Sequence, residues 1–390
     1  MKNIYLDNAA ATPLNQMVIK EITECLTKID GNPSSFHSKG LEAKEAIDDA
    51  RKKVANTINC KPNEIIFTSG GTESINLALK GIAFANKSKG NHIITSKIEH
   101  HAVLNTCKFL EKNGFNVTYL DVDKYGQVNP QDIEKVITDK TIVISIMYAN
   151  NEIGTIEPIE RIGNIAHSKN VYFHSDGCQA GGLLPINVQN LNVDLFSLNG
   201  SKMYGPKGTG ILYVKNGIKL EPLIHGGGQE NGLRSGTENV GGIVGFSKAL
   251  ELAQNKWLEE NKRLSKLSHK LIEGLLKIPK SRLNGHPTER LINNVNISFL
   301  DVEGESIVLR LNEIGIYAST SSACTSKSLE TSHVLKAIGL PYEASHGSIR
   351  FTLGDATTEK DIDFVIKSMH YIVEFLRKIS PLNLSMEHFK

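Results

Sequence analysis

The stretch from His92 to Leu198 contains five strand-like runs: HIITS (92–96), NVTYLDV (116–122), TIVISIMYA (141–149), VYFHSD (171–176) and VDLFSL (193–198). The segments between them at 102–113, 130–137 and 159–170 have the apolar spacing of helices. Regular alternation of strand and helix is typical of a mostly parallel sheet that is covered by helices on both faces. The sequence therefore predicts an α/β fold with this sheet at its centre.

Lys202 lies on a short turn within SLNGSKMYGPKGTGILYV (197–214), between two strand-like runs. Two interpretations of this lysine are open. It is either a solvated loop residue, like Lys207 nearby and most lysines in proteins, or a desolvated amine that forms a Schiff base with a carbonyl cofactor. The stretch alone favours the loop residue, so the rest of the chain has to decide.

A second notable turn lies in EIIFTSGGTES (64–74), where a strand-like run meets Gly70 and Gly71 and Thr72 opens an amphipathic helix. Free backbone N–H groups and the positive end of a helix dipole favour an anion at such a turn, and a phosphate would fit there. The alternative is that Thr72 is a plain N-cap, which needs no ligand. The segment alone favours neither interpretation.

Other polar side chains follow the ends of the strand-like runs, where a parallel sheet binds its ligands. They are His100 and His101 after the first run, Asn150, Asn151 and Glu152 after the third, and Asp176 and Gln179 after the fourth. Each has an ordinary explanation as a turn, cap or solvated residue when it is taken alone. Together with Lys202 and the glycine turn, they supply the imidazole, carboxylate, amine and anion site that pyridoxal phosphate requires.

The bulk properties narrow the class of protein. The 390 residues are 40% hydrophobic, which suffices for a large core in two or three compact units. A formal charge of +2 creates no strong field, so neither nucleic acid nor a membrane is expected as a direct partner. There is no apolar run of about 18 residues, and Asp7 stands where a signal peptide needs an apolar core, so a cytoplasmic protein is expected. The five cysteines are scattered, which predicts neither a disulfide framework nor a metal site.

The sequence changes in character after the last strand-like run. HGGGQENGLRSGTENV (225–240) is unusually polar for a loop, unless it meets a ligand or a neighbouring subunit. Helical spacing over 241–277 then leads to a mixed segment that begins with VNISFL (295–300). We predict a large cofactor domain at 15–255 and a smaller α+β domain formed by 1–14 and 256–390.

Cys324 differs from the other four cysteines. Its surroundings, STSSACTSKS (319–328), contain no strongly apolar residue. A segment of this composition cannot build a core, so an inert buried thiol is less favoured here than elsewhere. We expect an exposed thiol, which can act as a nucleophile when a site that it visits stabilises its thiolate.

A series of ordered motifs covers nearly the whole chain: YLDNAAATP (5–13), TSGGTES (68–74), EHHAVLNTC (99–107), ANNEIG (149–154), HSDGCQA (174–180), SKMYGPKGTG (201–210), GGGQENGLRSGTEN (226–239), SSACTS (321–326) and SIRFTLG (348–354). This series resembles the NifS/IscS family of pyridoxal-phosphate-dependent cysteine desulfurases, in the branch with the longer catalytic loop. The resemblance implies the fold of the aspartate aminotransferases, with a large and a small domain, in a homodimer.

The resemblance also implies roles for individual residues. Lys202 would form the Schiff base, Asp176 would pair with the pyridine nitrogen, and His100 would stack on the ring and act in catalysis. The other cofactor contacts would be Gln179 to the phenolic oxygen, Thr72 and Gly71 to the phosphate, Thr237 to the phosphate across the dimer interface, and also Asn151 and Ser201. Asn151, Arg350 and the loop residue Asn32 would bind substrate, with Arg350 as a bidentate clamp on its carboxylate.

Two positions depart from the family pattern. Around the lysine the family commonly has Ser-Gly-His-Lys or Ser-Ala-His-Lys, whereas this chain has Asn199, Gly200, Ser201 and Lys202. Ser201 and the Asn199 amide can each donate a hydrogen bond to a phosphate, so binding with altered geometry is expected. Ala11 replaces a threonine that is common in the N-terminal motif.

The function that the resemblance implies is conversion of L-cysteine to L-alanine, with transfer of sulfur to Cys324 as a persulfide. A protein acceptor such as an iron–sulfur scaffold would then receive the sulfur. The alternatives are a selenocysteine lyase or an aminotransferase of the same fold, or a non-catalytic sulfur-relay subunit. The presence of both Lys202 and Cys324 argues against the last of these.

Overall fold

The computed structural model describes residues 3–320 and 331–389, so Cys324 lies outside the described residues. The first part of the chain contains β1 (Ile4–Tyr5), α1 (Gln16–Lys28), α2 (Ser38–Ile58), β2 (Ile65–Thr68), α3 (Gly71–Ala85), β3 (His92–Ser96), α4 (His101–Lys112), β4 (Asn116–Leu120), α5 (Pro130–Val136), β5 (Thr141–Ser145), α6 (Ile159–Ser168), β6 (Tyr172–Asp176), β7 (Leu195–Asn199) and β8 (Gly210–Val214). The second part contains α7 (Val240–Leu276), β9 (Ser281–Leu283), β10 (Asn294–Phe299), α8 (Gly304–Glu313), β11 (Ile316–Tyr317), β12 (Ser319–Thr320), α9 (His333–Ala337), α10 (Tyr342–Ser345), β13 (Ser348–Thr352) and α11 (Glu359–Ile379).

A seven-stranded sheet has the order β2-β8-β7-β6-β5-β3-β4. β8 pairs antiparallel with both of its neighbours, and the remaining pairings in the sheet are parallel. β3 and β5 are buried at every residue, whereas the edge strand β4 is mostly half-buried. Such burial is typical of a parallel sheet with helices on both faces. The predicted α/β fold is confirmed, and the five strand-like runs correspond to β3 to β7.

A smaller four-stranded antiparallel sheet has the order β12-β13-β10-β9. The predicted runs VNISFL and SIRFTLG correspond to β10 and β13, whereas β9 and the short helix α9 were not predicted. β1, near the N-terminus, pairs in parallel with β11. The first residues of the chain therefore pack with its C-terminal part.

Helix α7 links the two sheets. Ile243 and Phe246, near its start, are buried in the core of the larger sheet. Leu264 and Leu271, in its second half, are buried in the core of the smaller one. Burial of each such side chain contributes about 1.5–3 kcal/mol, so one helix is anchored in both cores. The predicted domain boundary at 255/256 falls inside this helix, and the domain limits stay a prediction.

Residues 7–12, here called the N-terminal segment, cross from β1 to the carboxyl edge of the larger sheet. Thr12 donates its N–H to the carbonyl of Ser201 at 2.8 Å and accepts the N–H of Tyr204 at 2.7 Å. Asn8 donates its amide to the carbonyl of Thr352 at 2.7 Å. Hydrogen bonds to both sheets therefore hold this irregular stretch in one position.

Candidate active site

A cavity of about 450 Å³ lies at the carboxyl edge of the larger sheet. The predicted site residues that line it are Gly71, Thr72, His100, Asn151, Asp176, Gln179, Lys202 and Arg350. They come from five strand ends of one sheet and from β13 of the other, which is the arrangement expected of a ligand site in an open α/β sheet. The structure therefore brings these side chains together at one edge of the sheet, as their positions in the sequence predicted.

Lys202 ends a 3-10 turn, Gly200–Lys202, that directly follows β7. The side chain lines the cavity, and its Nζ donates to the carbonyl of Ala10 in the N-terminal segment. Lys207, the competing candidate, is exposed and does not line the cavity. The cavity amine is therefore Lys202.

Asp176 is the last residue of β6, and its carboxylate is buried at the cavity wall. Its Oδ1 accepts the backbone N–H of Cys178 at 2.9 Å, which fixes the orientation of the carboxylate. The Cys178 thiol also lines the cavity, and burial raises its pKa well above the usual value. A buried carboxylate beside a neutral thiol is suited to pair with one cationic group of a ligand.

His100 is the N-cap of α4, where its Nδ1 accepts the backbone N–H of Ala102 at 3.1 Å. An accepting Nδ1 places the proton of the neutral imidazole on Nε2. His100 therefore has a defined tautomer with its donor nitrogen turned away from the helix cap. Gln179, on the other side of the cavity, donates its amide to the carbonyl of Ala9 at 3.1 Å.

The glycine turn forms the anion end of the cavity. Helix α3 is capped by Gly70, at φ 144°, which makes no side-chain capping bond, so Thr72 is not the N-cap. A Cβ added to Gly71 would lie 2.5 Å from the Cys178 Sγ, so the backbone must approach this wall closely. Asn199 lines the same wall, and its Oδ1 is buried without a hydrogen-bond partner among the described residues. The first N–H groups of α3 therefore lie close to Asn199, whose amide nitrogen is a donor and whose unpartnered Oδ1 is only an acceptor.

Arg350 on β13 is almost completely buried, with 4% of its side chain exposed. Its Nη2 donates to Oδ1 of Asp7 at 2.9 Å, and its Nη1 donates to the carbonyl of Asn151 at 3.0 Å. The guanidinium therefore joins the N-terminal segment to the loop after β5. Both Arg350 and Asn151 line the cavity, and their contact with substrate stays a prediction.

Three predicted site residues do not line the cavity of the single chain. Ser201 is half-buried and contacts Thr12 through its carbonyl, while Asn199 occupies the wall near the glycine turn. Thr237 is exposed, and so is Asn32, whose side chain accepts the N–H of Ser34 at 2.9 Å. The ligand contacts of these three residues stay predictions.

Two buried carboxyl groups near the cavity were not assigned a role from the sequence. Glu99 accepts the Ser96 hydroxyl at 2.7 Å and the Met147 N–H at 3.0 Å, and burial raises its pKa to about 8. Glu152 accepts the hydroxyl of Ser332 at 2.5 Å, and burial raises its pKa to about 7. Both follow strand ends in quoted motifs: Glu152 was already named among the polar residues there, and the same signal could have singled out Glu99.

His333 also lines the cavity, and no sequence pattern pointed to it because it lies in a five-residue helix after a polar segment. Its Nε2 contacts the carbonyl of Glu99 at 2.9 Å, and since a carbonyl only accepts, that nitrogen carries the proton. Its ring packs edge-on against His101 with centroids 4.7 Å apart. Burial lowers the pKa of His333 to about 4, so the imidazole is neutral at pH 7.

The polar segment 225–240 uses part of its charge within the chain. Glu230 is buried and binds the Arg51 guanidinium with both oxygens, at 2.6 and 2.8 Å, and also accepts the N–H of Phe67 at 2.9 Å. Arg234 donates to Glu73 in the first turn of α3 at 3.0 Å. This segment is therefore tied directly to the helix start that forms the anion end of the cavity.

Within residues 3–320 and 331–389, no group of three or more His, Cys, Asp or Glu side chains is placed to hold a metal ion. In the same ranges, no helix is both long enough and apolar enough to cross a membrane. The four described cysteines, Cys25, Cys60, Cys107 and Cys178, are all free thiols.

Comparisons with known proteins identify the family of this chain. The family model for class-V aminotransferases matches residues 4–365. The cysteine desulfurase IscS of Methanosarcina thermophila is 57% identical over 98% of this chain and 94% of its own length. Among solved structures, a NifS-like protein superimposes with a TM-score of 0.91 and 39% identity, over 96% of this chain and all of that chain. A structure described as SspA in complex with cysteine has a TM-score of 0.79 and 38% identity, over 90% of this chain and 99% of that chain.

The likeness to these structures confirms the aspartate-aminotransferase-like fold. The family model covers most of the chain, and the identity to the curated desulfurase extends over nearly the full length of both proteins. The chain therefore belongs to the class-V aminotransferase family and, within it, to the cysteine desulfurases.

Proposed function

We propose that this protein is a pyridoxal-phosphate-dependent cysteine desulfurase, which converts L-cysteine to L-alanine and transfers the sulfur to Cys324 as a persulfide. The observation that carries the proposal is the cavity at the sheet edge, in which Lys202, Asp176, His100 and Arg350 meet from distant parts of the chain. Membership of the desulfurase family supports the reaction, and the cavity contains side chains of the kinds that the reaction would require.

The residues at the anion end fit the phosphate of the cofactor. The N-terminus of α3 has no side-chain cap, and the Thr72 hydroxyl and the Asn199 amide lie on the same wall. These donors would hold the phosphate, and Gly71 is required because a Cβ there would lie only 2.5 Å from the Cys178 Sγ and displace the turn. Ser201 is the weaker candidate because it does not line this wall. When bound, pyridoxal phosphate supplies an electron sink that stabilises negative charge at the substrate Cα.

The remaining cofactor and catalytic roles follow from the chemistry of the side chains. Lys202 would hold the cofactor through its amine and remove the α-proton of the substrate, since an amine in a protected cavity serves as a base. The buried carboxylate of Asp176 would keep a cationic ring nitrogen charged. His100 presents Nε2–H and would stack on the ring and move protons, and Gln179 would donate to the phenolic oxygen.

The substrate end is formed by Arg350 and Asn151, which would bind the carboxylate of L-cysteine. A planar guanidinium recognises a carboxylate with two parallel hydrogen bonds. Cys324 would attack the substrate sulfur as a thiolate: a new S–S bond forms, the substrate C–S bond breaks, and protonation of the carbon gives L-alanine. Asn32 would also bind the substrate, from the loop that precedes α2.

We further propose that the protein is a homodimer. Thr237 is exposed on the segment 225–240, which Arg234 ties to the anion end of the cavity, so Thr237 would complete the phosphate site of the other subunit. Phe36 lies beside the same segment with 97% of its surface exposed, and such an aromatic ring is suited to be buried by a second copy.

We also propose a cytoplasmic location, where thiols such as those of the described cysteines stay reduced. A protein such as an iron–sulfur scaffold would accept the sulfur.

The test is to supply the purified protein with L-cysteine and a reductant and to measure sulfide and alanine together. We expect equal amounts of both, and Cys324→Ala should lose sulfide release. Cys60→Ala is the matched control: Cys60 packs against the core of the larger sheet and does not line the cavity, so this variant should retain the activity of the unchanged protein.

Other results would contradict the proposal. Full sulfide release by Cys324→Ala would mean that no enzyme persulfide is needed, as for a selenocysteine lyase, which should also prefer L-selenocysteine. Release of a keto acid without sulfide would indicate an aminotransferase. The absence of all products would indicate a non-catalytic sulfur-relay subunit.

A further inference from the structure

Asp7 contacts the guanidinium of Arg350, and no role has been assigned to it above. Its Oδ1 accepts from Nη2 of Arg350 at 2.9 Å, and 23% of its side chain is exposed against 4% for Arg350. Asp7 belongs to the N-terminal segment, whereas Arg350 is on β13. The bond therefore connects two parts of the sequence that are 343 residues apart.

The hydrogen bonds of Arg350 limit how it can receive a ligand. A guanidinium has five N–H groups. One of them, on Nη2, donates to Asp7, and another, on Nη1, donates to the carbonyl of Asn151. The Nε–H is buried and has no hydrogen-bond partner among the described residues, so a ligand in the cavity does not reach it. One N–H group on each terminal nitrogen remains.

Two parallel N–H groups on the terminal nitrogens are what a carboxylate needs for a bidentate bond. They meet a carboxylate in the cavity only while the rigid plane of the guanidinium is held in the right direction. Asn151 fixes it on one side through a backbone carbonyl, and Asp7 fixes it on the other through a carboxylate. An arginine without these bonds has four rotatable side-chain angles and loses its preferred orientation.

We propose that Asp7 is a positioning residue that orients Arg350 for the substrate carboxylate and thereby sets the preference of the cavity for amino acids over simple amines. This proposal rests on the proposed function, because it takes the role of Arg350 from it. The N-terminal segment supports the assignment, since Asn8 and Thr12 hold it by hydrogen bonds to both sheets and so fix the place of Asp7.

The test compares two competitive inhibitors of the holoenzyme, L-alanine and L-alaninamide, which differ only in the carboxylate. In Asp7→Ala we expect inhibition by L-alanine to weaken by about tenfold, the effect of one charge-assisted hydrogen bond, with inhibition by L-alaninamide within about twofold of the unchanged protein. Asp7→Asn keeps an acceptor oxygen and should restore L-alanine inhibition to within about threefold. KM for L-cysteine should rise in parallel with the weakening of L-alanine inhibition, whereas kcat should change less.

Asp301→Ala is the control for loss of stability alone. Asp301 is buried, binds Nζ of Lys280 at 2.7 Å and does not line the cavity, so this variant should lower the melting temperature without changing the ratio of the two inhibitors. Equal weakening of both inhibitors in Asp7→Ala, or unchanged inhibition by L-alanine, would overturn the positioning role. If Arg350→Lys also left L-alanine inhibition unchanged while L-cysteine was still desulfurated, Arg350 would not bind the substrate carboxylate, and the proposed function would stand without that assignment. If the unchanged protein released no sulfide, the proposed function would fail instead.

Discussion

Two walls of the cavity contribute different kinds of atoms. One wall is formed by strand ends, and the other is formed by the N-terminal segment. The strand ends place the side chains of His100, Asp176 and Lys202 in the cavity. The N-terminal segment contributes mainly backbone carbonyls, of which Ala9 accepts from Gln179 and Ala10 accepts from Lys202. Reactive groups thus sit on a rigid sheet, and an irregular stretch with small side chains holds them in place. Substitutions in the strand-end wall should therefore have large effects on turnover. Substitutions in the N-terminal segment should have smaller effects, because changing a side chain does not remove a backbone carbonyl.

The largest effect is expected for Lys202→Ala in the strand-end wall. Under the proposed function, loss of the cavity amine would remove both the attachment point for the cofactor and the base, so sulfide and alanine formation should fall by at least about 10³-fold. Lys202→Arg keeps the positive charge but cannot act as a base at neutral pH, so it should be equally inactive. Lys207→Ala is the matched control, since that lysine is exposed five residues away. If Lys202→Arg kept measurable turnover, the base would have to be another group.

A second comparison uses two buried aspartates of the same sheet. Asp176 ends β6 at the cavity, whereas Asp194 precedes β7 at the opposite edge and accepts the N–H of Phe173 at 2.9 Å. Asp176→Ala should lower kcat by about 10²–10³-fold, the loss expected for one preorganised electrostatic partner. Asp194→Ala should lower the melting temperature and leave kcat within about twofold. Similar kcat values for the two variants would contradict a functional difference between the two edges.

The strand-end wall could be predicted from the sequence because its signals are local. Apolar runs identify the strands, and the polar residue after each run identifies the edge, so Asp176 and Lys202 could be placed near each other from the sequence, although their roles were implied only by the whole set of motifs. The same logic extends to Glu99 and Glu152, which lie in the same turns. Their burial was not predictable, since it depends on packing against Ser332 and His333 from the far end of the chain.

The N-terminal wall could not be predicted because its function lies in the backbone. Ala9 and Ala10 have no polar side chains, and only the folded chain shows that their carbonyls accept from Gln179 and Lys202. The family resemblance identified the motif around Asp7, but no sequence pattern indicates that its carboxylate meets Arg350. Long-range pairing of this kind is fixed by the tertiary fold, in which β1 joins β11.

Glu152, in the strand-end wall, makes the stability of the protein depend on pH. Burial raises its pKa from 4.5 to about 7, so between these values the unfolded chain loses a proton that the folded chain keeps. Stability should therefore fall as the pH rises through this window, by about 3 kcal/mol in total. Glu152→Gln cannot ionise and should remove this part of the fall, so its advantage over the unchanged protein should be largest near pH 8. Urea unfolding at pH 5 and pH 8 measures the difference.

The exposed Glu45, in the middle of α2, supplies the control for that measurement. Glu45→Gln should change the free energy of unfolding by the same small amount at both pH values. Glu99 contributes its own fall with pH in all three proteins, so it cancels in the comparison. An identical pH dependence in Glu152→Gln and in the unchanged protein would mean that Glu152 is ionised in the folded state throughout this range.

The smallest effect is expected for Tyr5→Phe, which tests the N-terminal wall without touching the cavity. The Tyr5 hydroxyl donates to the carbonyl of Ala11 at 2.6 Å and also contacts the carbonyl of Asp7 at 3.1 Å, so it braces both ends of the segment that carries Ala9 and Ala10. Burial and the charge of Asp7 raise the pKa of Tyr5, so the hydroxyl remains a donor at neutral pH. Its loss should cost about 1 kcal/mol of unfolding free energy, and KM for L-cysteine should rise by about twofold with little change in kcat.

Tyr317 on β11 offers a matched control for Tyr5, because the two are paired in the β1–β11 ladder and have nearly equal exposure, 38% and 39%. Its hydroxyl has no hydrogen-bond partner within residues 3–320 and 331–389, so Tyr317→Phe should change neither stability nor KM. Both variants remove one tyrosine hydroxyl from the same two-stranded sheet. A larger effect of Tyr5→Phe would therefore come from its hydrogen bonds to the N-terminal segment. Equal behaviour would mean that the hydrogen bonds of Asn8 and Thr12 to both sheets suffice to hold the carbonyls of Ala9 and Ala10 in place.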